Sequence, residues 1–435
     1  MYTLKTLATV GVVVAAVVFL SWSRGRRFAW RRPMVVAFGL FAGSIAVDLL
    51  HVAVAGVRNP PLWDFKCFWM YGQVAAAHHN VYDPASYQVY HALLNPAKNL
   101  EFDTIGVDVG LPYPPPGVLL VYPLGFVANI STAMIGWYGA LFSAALGCVY
   151  LLWRRFFAAD GIAGLVVVCV LIAGLGATHM TLGLTQVDFI ALLFLLLFWG
   201  EPVSWRAGLW LAPLIFLRPL FILLAISLVV RRRWSALAAL AAGSAALIAI
   251  CFPLVGPDSL ATYLRHNPTL RYPVEYFTGS SSLYKVLTSL HVNDGSFSLA
   301  THPVYVAIAA ICVAIATAIC AMCAQRQRDM CLALLVVLGL WLYPATSGHY
   351  CVLLLPPMCA VWRYRQALNL SPAPVAAFFA LNYLLLDVNA GAQTTGLAIA
   401  IDCLIFAWLA FRRPAARDTF EPPRSRATPL AASRT

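Results

Sequence analysis

Residues 161–176 read GIAGLVVVCVLIAGLG, an apolar run that contains no charged side chain. A second run, GVVVAAVVFL, occupies residues 11–20, and neither run alternates between apolar and polar positions as a membrane β-strand does. The chain has 435 residues, of which 61% are hydrophobic and 11% are charged. Its repeated apolar runs are near the length that crosses about 30 Å of hydrocarbon as a helix. The sequence therefore predicts an all-α polytopic membrane protein.

The positively charged residues lie mostly between the apolar runs. The chain carries a net charge of +12, and its arginines lie in short clusters between these runs. Because Lys and Arg near helix ends mark the cytoplasmic side of a membrane protein, the charge indicates topology, and no nucleic-acid partner is expected. The 11 cysteines lie mostly inside apolar runs and lack the spacing of a metal site, so no metal is expected.

The arginine clusters assign the sides of the membrane. Five arginines between Arg24 and Arg32 follow the first apolar run, which places this loop in the cytoplasm. The next run then leads to an external segment at about residues 58–112, and a second long external segment covers about residues 256–301. A window of about 19 residues predicts roughly 11 to 13 membrane segments in one domain, residues 1–411. Residues 412–435 are rich in Pro, Arg, Ser and Ala, which predicts a disordered cytoplasmic tail.

The apolar run at residues 207–230 is interrupted at its centre by Arg218 and Pro219. Basic residues that we place in the cytoplasm flank it on both sides, so a single crossing does not fit. Proline-broken helices are tolerated at membrane depth where they line a protein or water-filled cavity. The pattern therefore predicts a hairpin of two short helices whose tip reaches toward the outer side.

The first external segment contains one carboxylate among aromatic residues. Residues 59–73 read NPPLWDFKCFWMYGQ, with Asp64 beside Trp63 and Phe65. The residues that follow predict a helix with aromatics on one face, which is typical of a helix lying in the headgroup layer. Asp64 could be the N-cap of this helix, face water without a specific role, or handle a proton. Asp83, which precedes Pro84, has a sufficient role as a helix cap.

The other external ends contain polar groups suited to an anionic lipid headgroup. Ionisable residues at membrane ends are candidates for function, although each could instead snorkel to phosphates or cap a helix. We assign structural roles to Asp188, Arg265 and His266. The candidates for binding a donor phosphate or sugar are Gln186, Arg218, Lys285, His349 and Tyr350.

Several short motifs in order along the chain resemble glycosyltransferase family 87, whose members are GT-C membrane enzymes. The resemblance covers most of residues 60–365, and it departs at Ser280–Ser282, where Asn-Gln-Ser is expected, and at Asn80, where glycine is more usual. The motifs are Asp-Phe at 64–65, YGQVAAAHHNVYDP at 71–84, YPPP at 113–116, Gln-x-Asp at 186–188, LRP at 217–219, SSSL at 280–283 and SGHY at 347–350.

This resemblance implies a GT-C-like helical bundle and an inverting transfer of a sugar, as in bacterial α-1,2-mannosyltransferases. The implied donor is polyprenyl-phosphate mannose, used as a co-substrate without a further cofactor. The implied acceptor is a hydroxyl of a glycolipid or glycan at the outer face of the bacterial plasma membrane. The resemblance makes Asp64 the general base, Arg218 the basic residue before proline and His349 the late histidine. We assign Tyr71, Tyr113 and Ser282 to the lining of the acceptor or of the site.

Two other functions fit a polytopic chain with external loops. A polymerase or ligase of lipid-linked oligosaccharides would carry its key arginines and histidines in a large late loop, whereas here the richest loop is the first. A lipid or solute transporter would carry polar residues through the middle of several helices, whereas here they gather at the external ends. The sequence therefore favours glycosyl transfer.

Overall fold

The computed structural model describes most of the chain in ten segments. Within these segments the chain is helical and contains no strand, which confirms the all-α prediction. Parts of both long external segments and the tail after residue 412 lie outside the described residues, so their predicted states are not tested. The described residues are 4–23, 31–58, 63–83, 85–86, 113–201, 203–266, 280–290, 302–323, 325–386 and 391–412.

The α-helices follow one another with short connections. In the first half they are α1 (Leu4–Ser23), α2 (Arg31–Arg58), α3 (Trp63–Ala76), α4 (Val118–Val121), α5 (Ile130–Leu152), α6 (Gly161–Gly174), α7 (Gly176–Gly183), α8 (Asp188–Gly200), α9 (Ser204–Leu217) and α10 (Leu224–Val230). In the second half they are α11 (Trp234–Val255), α12 (Ser259–His266), α13 (Leu283–Ser289), α14 (Pro303–Cys323), α15 (Arg328–Leu342), α16 (Leu355–Tyr364), α17 (Pro372–Leu385) and α18 (Ala392–Phe411). Short 3-10 turns cover Pro115–Gly117, Tyr122–Phe126, Ala158–Asp160, Pro219–Leu223 and Gly348–Leu354, and a π turn covers Trp153–Phe157.

Five helical stretches in the described ranges are long and apolar enough to cross a membrane. Shorter apolar helices, among them α8, α9 and α17, lie between them. The chain is thus a membrane protein, while the predicted count of 11 to 13 segments stays a prediction. The five stretches are Arg32–Arg58, Ile130–Gly174, Trp234–Val255, Pro303–Cys323 and Ala392–Phe411.

The predicted hairpin at residues 207–230 is present. Helix α9 ends at Leu217, Arg218 is extended (φ −145°, ψ 93°), and the turn Pro219–Leu223 leads into α10. A residue before proline is biased away from the helical region by the proline ring. The Arg-Pro pair therefore sets the position of the break, and the backbone N–H of Arg218 makes the last helical bond of α9, to the carbonyl of Leu214 at 2.8 Å.

Helix α3 packs on the segment that returns the chain to the bundle. The indole Nε1 of Trp69 donates to the carbonyl of Val127 at 2.8 Å. At Gly72 a Cβ atom would lie 2.5 Å from the carbonyl oxygen of Val121, so only glycine allows this approach. The ring of Phe68 is buried, as is that of Trp69. The aromatic face, which we predicted to lie in the headgroup layer, is thus covered by protein because it fills the space between α3 and its neighbours.

The bundle has two ends that differ in their polar residues. Helix α8 begins at Asp188, which contacts Arg218 and His349, and we call this the site end. Near its other end the carbonyl of Trp199 accepts a hydrogen bond from Arg328, and we call this the basic end. At the rise of an α-helix, Asp188 and Trp199 are about 17 Å apart along the axis.

Candidate functional site

Arg218 is the centre of the polar cluster at the site end and is only 3% exposed. Its Nε donates to Oδ1 of Asp188 at 2.8 Å, and its Nη2 lies 2.6 Å from the same oxygen. Its Nη1 donates to the hydroxyl of Tyr350 at 3.0 Å, with a longer contact of 3.5 Å to the hydroxyl of Tyr113. Nη2 also reaches Oε1 of Gln186 at 3.4 Å. Every nitrogen of the guanidinium is therefore bonded to a side chain.

His349 completes the cluster from the opposite side of Asp188. Its Nδ1 lies 2.5 Å from Oδ2 of Asp188, and its ring stands edge-on to Tyr350 with centroids 4.5 Å apart. The backbone carbonyl of His349 accepts from the hydroxyl of Thr181 at 3.2 Å, which fixes the start of the turn Gly348–Leu354. Since the Nδ1 side of the ring is occupied by the carboxylate, Nε2 is the nitrogen that a ligand can reach.

Asp188 and Arg218 keep their charges although both side chains are buried. Asp188 is 0% exposed and, like Arg218 and Tyr350, lies outside the five long apolar stretches. Burial alone would raise the pKa of Asp188, but the charges of Arg218 and His349 bring it below its ordinary value. Burial likewise opposes the charge of Arg218, yet Asp188 and the tyrosines raise its pKa above the ordinary value. The aspartate and the arginine are thus an ion pair.

The arrangement presents a hydrogen-bond donor to an anion through the hydroxyl of Tyr350, and through Nε2 of His349 when both ring nitrogens carry a proton. Arg218 stacks 4.1 Å from the ring centroid of Tyr350 and also donates to its hydroxyl, so the oxygen of that hydroxyl is the acceptor. The proton of the tyrosine is then directed away from the guanidinium. Burial raises the pKa of Tyr350 well above its ordinary value, which keeps this donor protonated. A phosphate oxygen is an acceptor that suits a hydroxyl and an imidazole N–H polarised by neighbouring charges.

A tight turn between α7 and α8 brings Gln186 and Asp188 to the same guanidinium. Thr185, in this turn, has a left-handed backbone conformation (φ 55°), which is uncommon for a β-branched residue. Its carbonyl accepts from Nε1 of Trp137 at 2.8 Å, and its side chain is buried. Such strain persists only where the surroundings hold it, and here it directs two polar side chains toward Arg218.

Asp64 lies on a helix that is joined to this cluster. It is the second residue of α3, so it belongs to the first turn rather than to the cap position, and its side chain lies outside the described residues. Phe68 follows it by one turn on the same side of the helix. The ring of Phe68 lies 6.0 Å from that of Tyr113 and 5.6 Å from that of Trp137. Tyr113 in turn contacts Arg218, so the helix that carries Asp64 is packed against the wall of the cluster.

The serines of the SSSL motif hold the loop that leads to His349. The hydroxyls of Ser280 and Ser282 both donate to the carbonyl of Pro344, at 2.5 and 3.1 Å. The backbone N–H of Ser281 donates to the carbonyl of Thr346 at 2.7 Å. Ser282 thus holds this loop, and its predicted place in the lining of the site stays a prediction.

Two further predicted residues lie away from Arg218. Lys285 is half-buried on α13, and no contact in the described part of the chain joins it to the cluster. Tyr71 is buried on α3 and lies within the packing of that helix. The roles assigned to both residues stay predictions. No group of His, Cys, Asp and Glu within the described ranges is arranged to hold a metal ion.

The structure brings together five of the predicted residues and adds Asp188. The five are Tyr113, Gln186, Arg218, His349 and Tyr350. From the sequence we assign Asp188 a structural role, whereas the structure places it between Arg218 and His349. The signal that indicates otherwise is the Gln-x-Asp spacing, which places both side chains on the turn facing the helix break.

The fold and the cluster define a multi-pass helical membrane protein with a buried polar site at one end of its bundle. A model of glycosyltransferase family 87 matches residues 111–346, which is more than half of the chain. The protein therefore belongs to glycosyltransferase family 87 and is a glycosyltransferase. The matched range includes Asp188 and Arg218, while Asp64 and His349 lie outside it. No curated protein and no solved structure matches the chain.

Proposed function

We propose that this glycosyltransferase moves mannose from a polyprenyl-phosphate donor to a hydroxyl of a glycolipid or glycan acceptor, with inversion, at the outer face of the bacterial plasma membrane. The observation that carries the proposal is the buried cluster of Asp188, Arg218 and His349 at the end of apolar helices. A lipid-linked sugar phosphate places its phosphate at headgroup depth, where such a cluster can meet it. Family membership favours transfer over the transport alternative.

The bond changes of the reaction are a single displacement. Asp64 takes the proton of the acceptor hydroxyl as its oxygen attacks the anomeric carbon of the sugar. The bond from that carbon to the phosphate oxygen breaks, and the oxygen keeps the electron pair. Polyprenyl phosphate leaves with one more negative charge, and Asp64 later returns its proton to water. A β-linked donor then gives an α-linked product.

The cluster stabilises the negative charge that develops on the leaving phosphate. Tyr350 presents an O–H donor polarised by Arg218, and the doubly protonated ring of His349, paired with Asp188, presents an N–H donor. Donors held in place before the reaction stabilise developing charge without the cost of reorganisation. Asp188 orients both side chains, because one carboxylate oxygen bonds Arg218 and the other bonds His349.

The donor class also fits what the sequence contains. A donor that already carries its phosphate on a lipid needs no nucleotide site, and the chain has no glycine-rich phosphate loop. Asp64 is the one carboxylate of its motif, which fits direct displacement better than a covalent intermediate. These two features support inversion from a lipid-phosphate donor.

The test is transfer by purified Asp64→Asn protein with polyprenyl-phosphate mannose and a glycolipid acceptor. Loss of a general base lowers the rate by about 10²- to 10⁴-fold, so we expect transfer to fall into this range while thermal unfolding stays unchanged. Wild-type transfer by the variant would show that Asp64 is not the base. If the wild type transfers no mannose but does transfer another lipid-linked sugar, only the proposed identity of the sugar is wrong.

The outward orientation has its own test. A cysteine introduced at Asn99 should react with an impermeant thiol reagent added to intact cells, above the labelling of the unchanged chain. Protection of that thiol until the cells are lysed would place residues 58–112 in the cytoplasm and remove the proposal that the site faces outward.

A further inference from the structure

The basic end holds a second buried carboxylate, that of Asp329. Nη2 of Arg155 donates to both of its oxygens, at 3.1 and 3.2 Å, and the hydroxyl of Tyr364 donates to Oδ2 at 3.0 Å. Arg328, the next residue along the chain, donates to the carbonyl of Trp199 at 2.7 Å. Both oxygens of the acid are therefore occupied by one arginine and one tyrosine.

More arginines converge here than Asp329 can neutralise. Arg231 and Arg233 follow helix α10, which packs on α15, the helix that begins with Arg328. The Nε atoms of Arg155 and Arg231 are buried and have no hydrogen-bond partner among the described residues. The cluster of Arg155, Arg231, Arg233 and Arg328 thus contains four cations and one carboxylate. We call this set the arginine cluster.

The electrostatics of Arg328 show that the positive charge is not balanced. Burial is the largest cause that lowers its pKa, and Arg155, Arg231 and Arg233 lower it further. Asp329 acts in the opposite direction, yet the pKa of Arg328 comes to about 10. A bound anion would raise it again and would also supply the missing hydrogen-bond acceptors.

A general preference for arginine in cytoplasmic loops explains only part of this arrangement. It accounts for Arg154 and Arg206, which are exposed at the same end. It does not require four arginines from three separate helix ends to gather around one saturated carboxylate. The gathering points to a ligand with several acceptor oxygens and a negative charge.

Exposed tryptophans place the arginine cluster at a lipid surface. Trp205 is 48% exposed, Trp234 is 63% exposed and directly follows Arg233, and Trp408 is 49% exposed. The guanidinium of Arg412 lies 4.1 Å from the ring centroid of Trp408. Tryptophan is enriched at headgroup depth because its ring is apolar and its N–H is polar. Lipid phosphates are therefore the anions nearest to these arginines.

We propose that the arginine cluster is a binding site for the phosphate group of an anionic lipid headgroup, at the end of the bundle opposite the transfer site. The planar guanidinium matches phosphate geometry with two parallel hydrogen bonds, which favours phosphate over a simple halide. Arg231 is the residue on which binding depends most, because its buried Nε has no hydrogen-bond partner among the residues that the structure describes, and there the bonds to Asp329 come from Arg155 and Tyr364.

The experiment measures binding of defined lipids to the purified full-length protein in detergent by native mass spectrometry at fixed salt. Phosphatidylglycerol is compared with phosphatidylcholine of the same acyl chains and with inorganic phosphate. The variant is Arg231→Gln, with Arg231→Lys as the charge-retaining form and Arg154→Gln as the matched control on the same end. Arg154 is exposed, and its described hydrogen bond is a long one of 3.4 Å to Tyr150. Size-exclusion profiles verify folding, and Arg233→Gln replaces Arg231→Gln if the latter aggregates.

We expect phosphatidylglycerol to bind more tightly than phosphatidylcholine, and Arg231→Gln to weaken it roughly fivefold, as one basic residue near an anionic surface does. Arg154→Gln should bind as the wild type does, and Arg231→Lys should keep most of the affinity. If inorganic phosphate binds with the same dependence on Arg231 and the lipid adds nothing, the phosphate site stands and its source is soluble. Equal binding by wild type and Arg231→Gln, or equal weakening by Arg154→Gln, would overturn the proposal.

Discussion

Two buried aspartates, Asp188 at the site end and Asp329 at the basic end, have similar partners. Each accepts hydrogen bonds from an arginine, and a tyrosine hydroxyl lies in each cluster. The clusters differ in how the remaining donors are used. At the site end the arginine and the histidine bond side chains, while at the basic end Arg328 and Arg363 donate to the backbone carbonyls of Trp199 and Arg155.

This difference separates the proposed transfer site from contacts that join helix ends around Asp329. Donors that bind backbone carbonyls join the ends of neighbouring helices, and they satisfy acceptors that a helix end leaves open. Donors that bind tyrosine hydroxyls and a carboxylate instead set the direction of protons that a ligand can meet. We therefore expect substitutions at the site end to act on transfer, and those around Asp329 to act on stability.

Among substitutions of Arg218, Tyr350 and Gly72, the largest effect is expected from Arg218→Lys. Lysine keeps the charge but loses the planar fork that bonds Asp188, Tyr350 and Gln186 at once. Arg218 holds Tyr350 and Asp188 in place, so its replacement displaces a donor to the developing charge. Loss of one such donor lowers a rate by about 10²- to 10³-fold, and we expect transfer to fall by this amount. The matched variant Arg363→Lys, at the basic end, should keep its rate per folded molecule. A loss of transfer in both variants, measured as initial rates, would erase the distinction between the two ends.

A smaller effect is expected from Tyr350→Phe, which removes the hydroxyl and keeps the ring that stacks on Arg218. A hydrogen bond to a charged group contributes about 1.5 kcal/mol or more, so transfer should fall roughly tenfold. Tyr364→Phe removes the matching hydroxyl at Asp329 and should lower the thermal midpoint without slowing transfer. Slower transfer by Tyr364→Phe alone would reverse the assignment of the ends.

The smallest effect is expected from Gly72→Ala, which disturbs the packing of α3 against the segment that follows it. The added Cβ would lie 2.5 Å from the carbonyl oxygen of Val121, and such overpacking costs about 1 to 3 kcal/mol. We expect transfer to fall by about fivefold with a lower thermal midpoint, because the helix of Asp64 must shift. Gly136→Ala is the control, since a Cβ there meets nothing within 4 Å. Unchanged transfer by Gly72→Ala would indicate that the position of α3 does not limit the reaction.

Much of the fold follows from the sequence, since long apolar runs without alternation predict helices in a bilayer and the pair Arg218–Pro219 predicts a break. The gathering of Arg218, Gln186 and His349 also follows, because the arginine clusters assign all three to one side. The role of Asp188 does not follow, because its partners lie far along the chain, and proximity of this kind arises only in the packed bundle. The burial of the aromatic face of α3 was missed for the same reason.

The most direct test of the difference between the two ends is the pair of variants Asp188→Asn and Asp329→Asn. The measurement is the initial rate of transfer from a polyprenyl-phosphate sugar that the wild type uses, normalised to monodisperse folded protein, with thermal unfolding in parallel. Breaking a buried ion pair costs about 3 to 5 kcal/mol, and we expect Asp329→Asn to show this cost as lost stability while its rate stays near that of the wild type. For Asp188→Asn we expect transfer to fall by at least about 10²-fold, because its donors are no longer held in place for the developing charge. Equal rates in the two variants would contradict the assignment of the site to Asp188, Arg218 and His349.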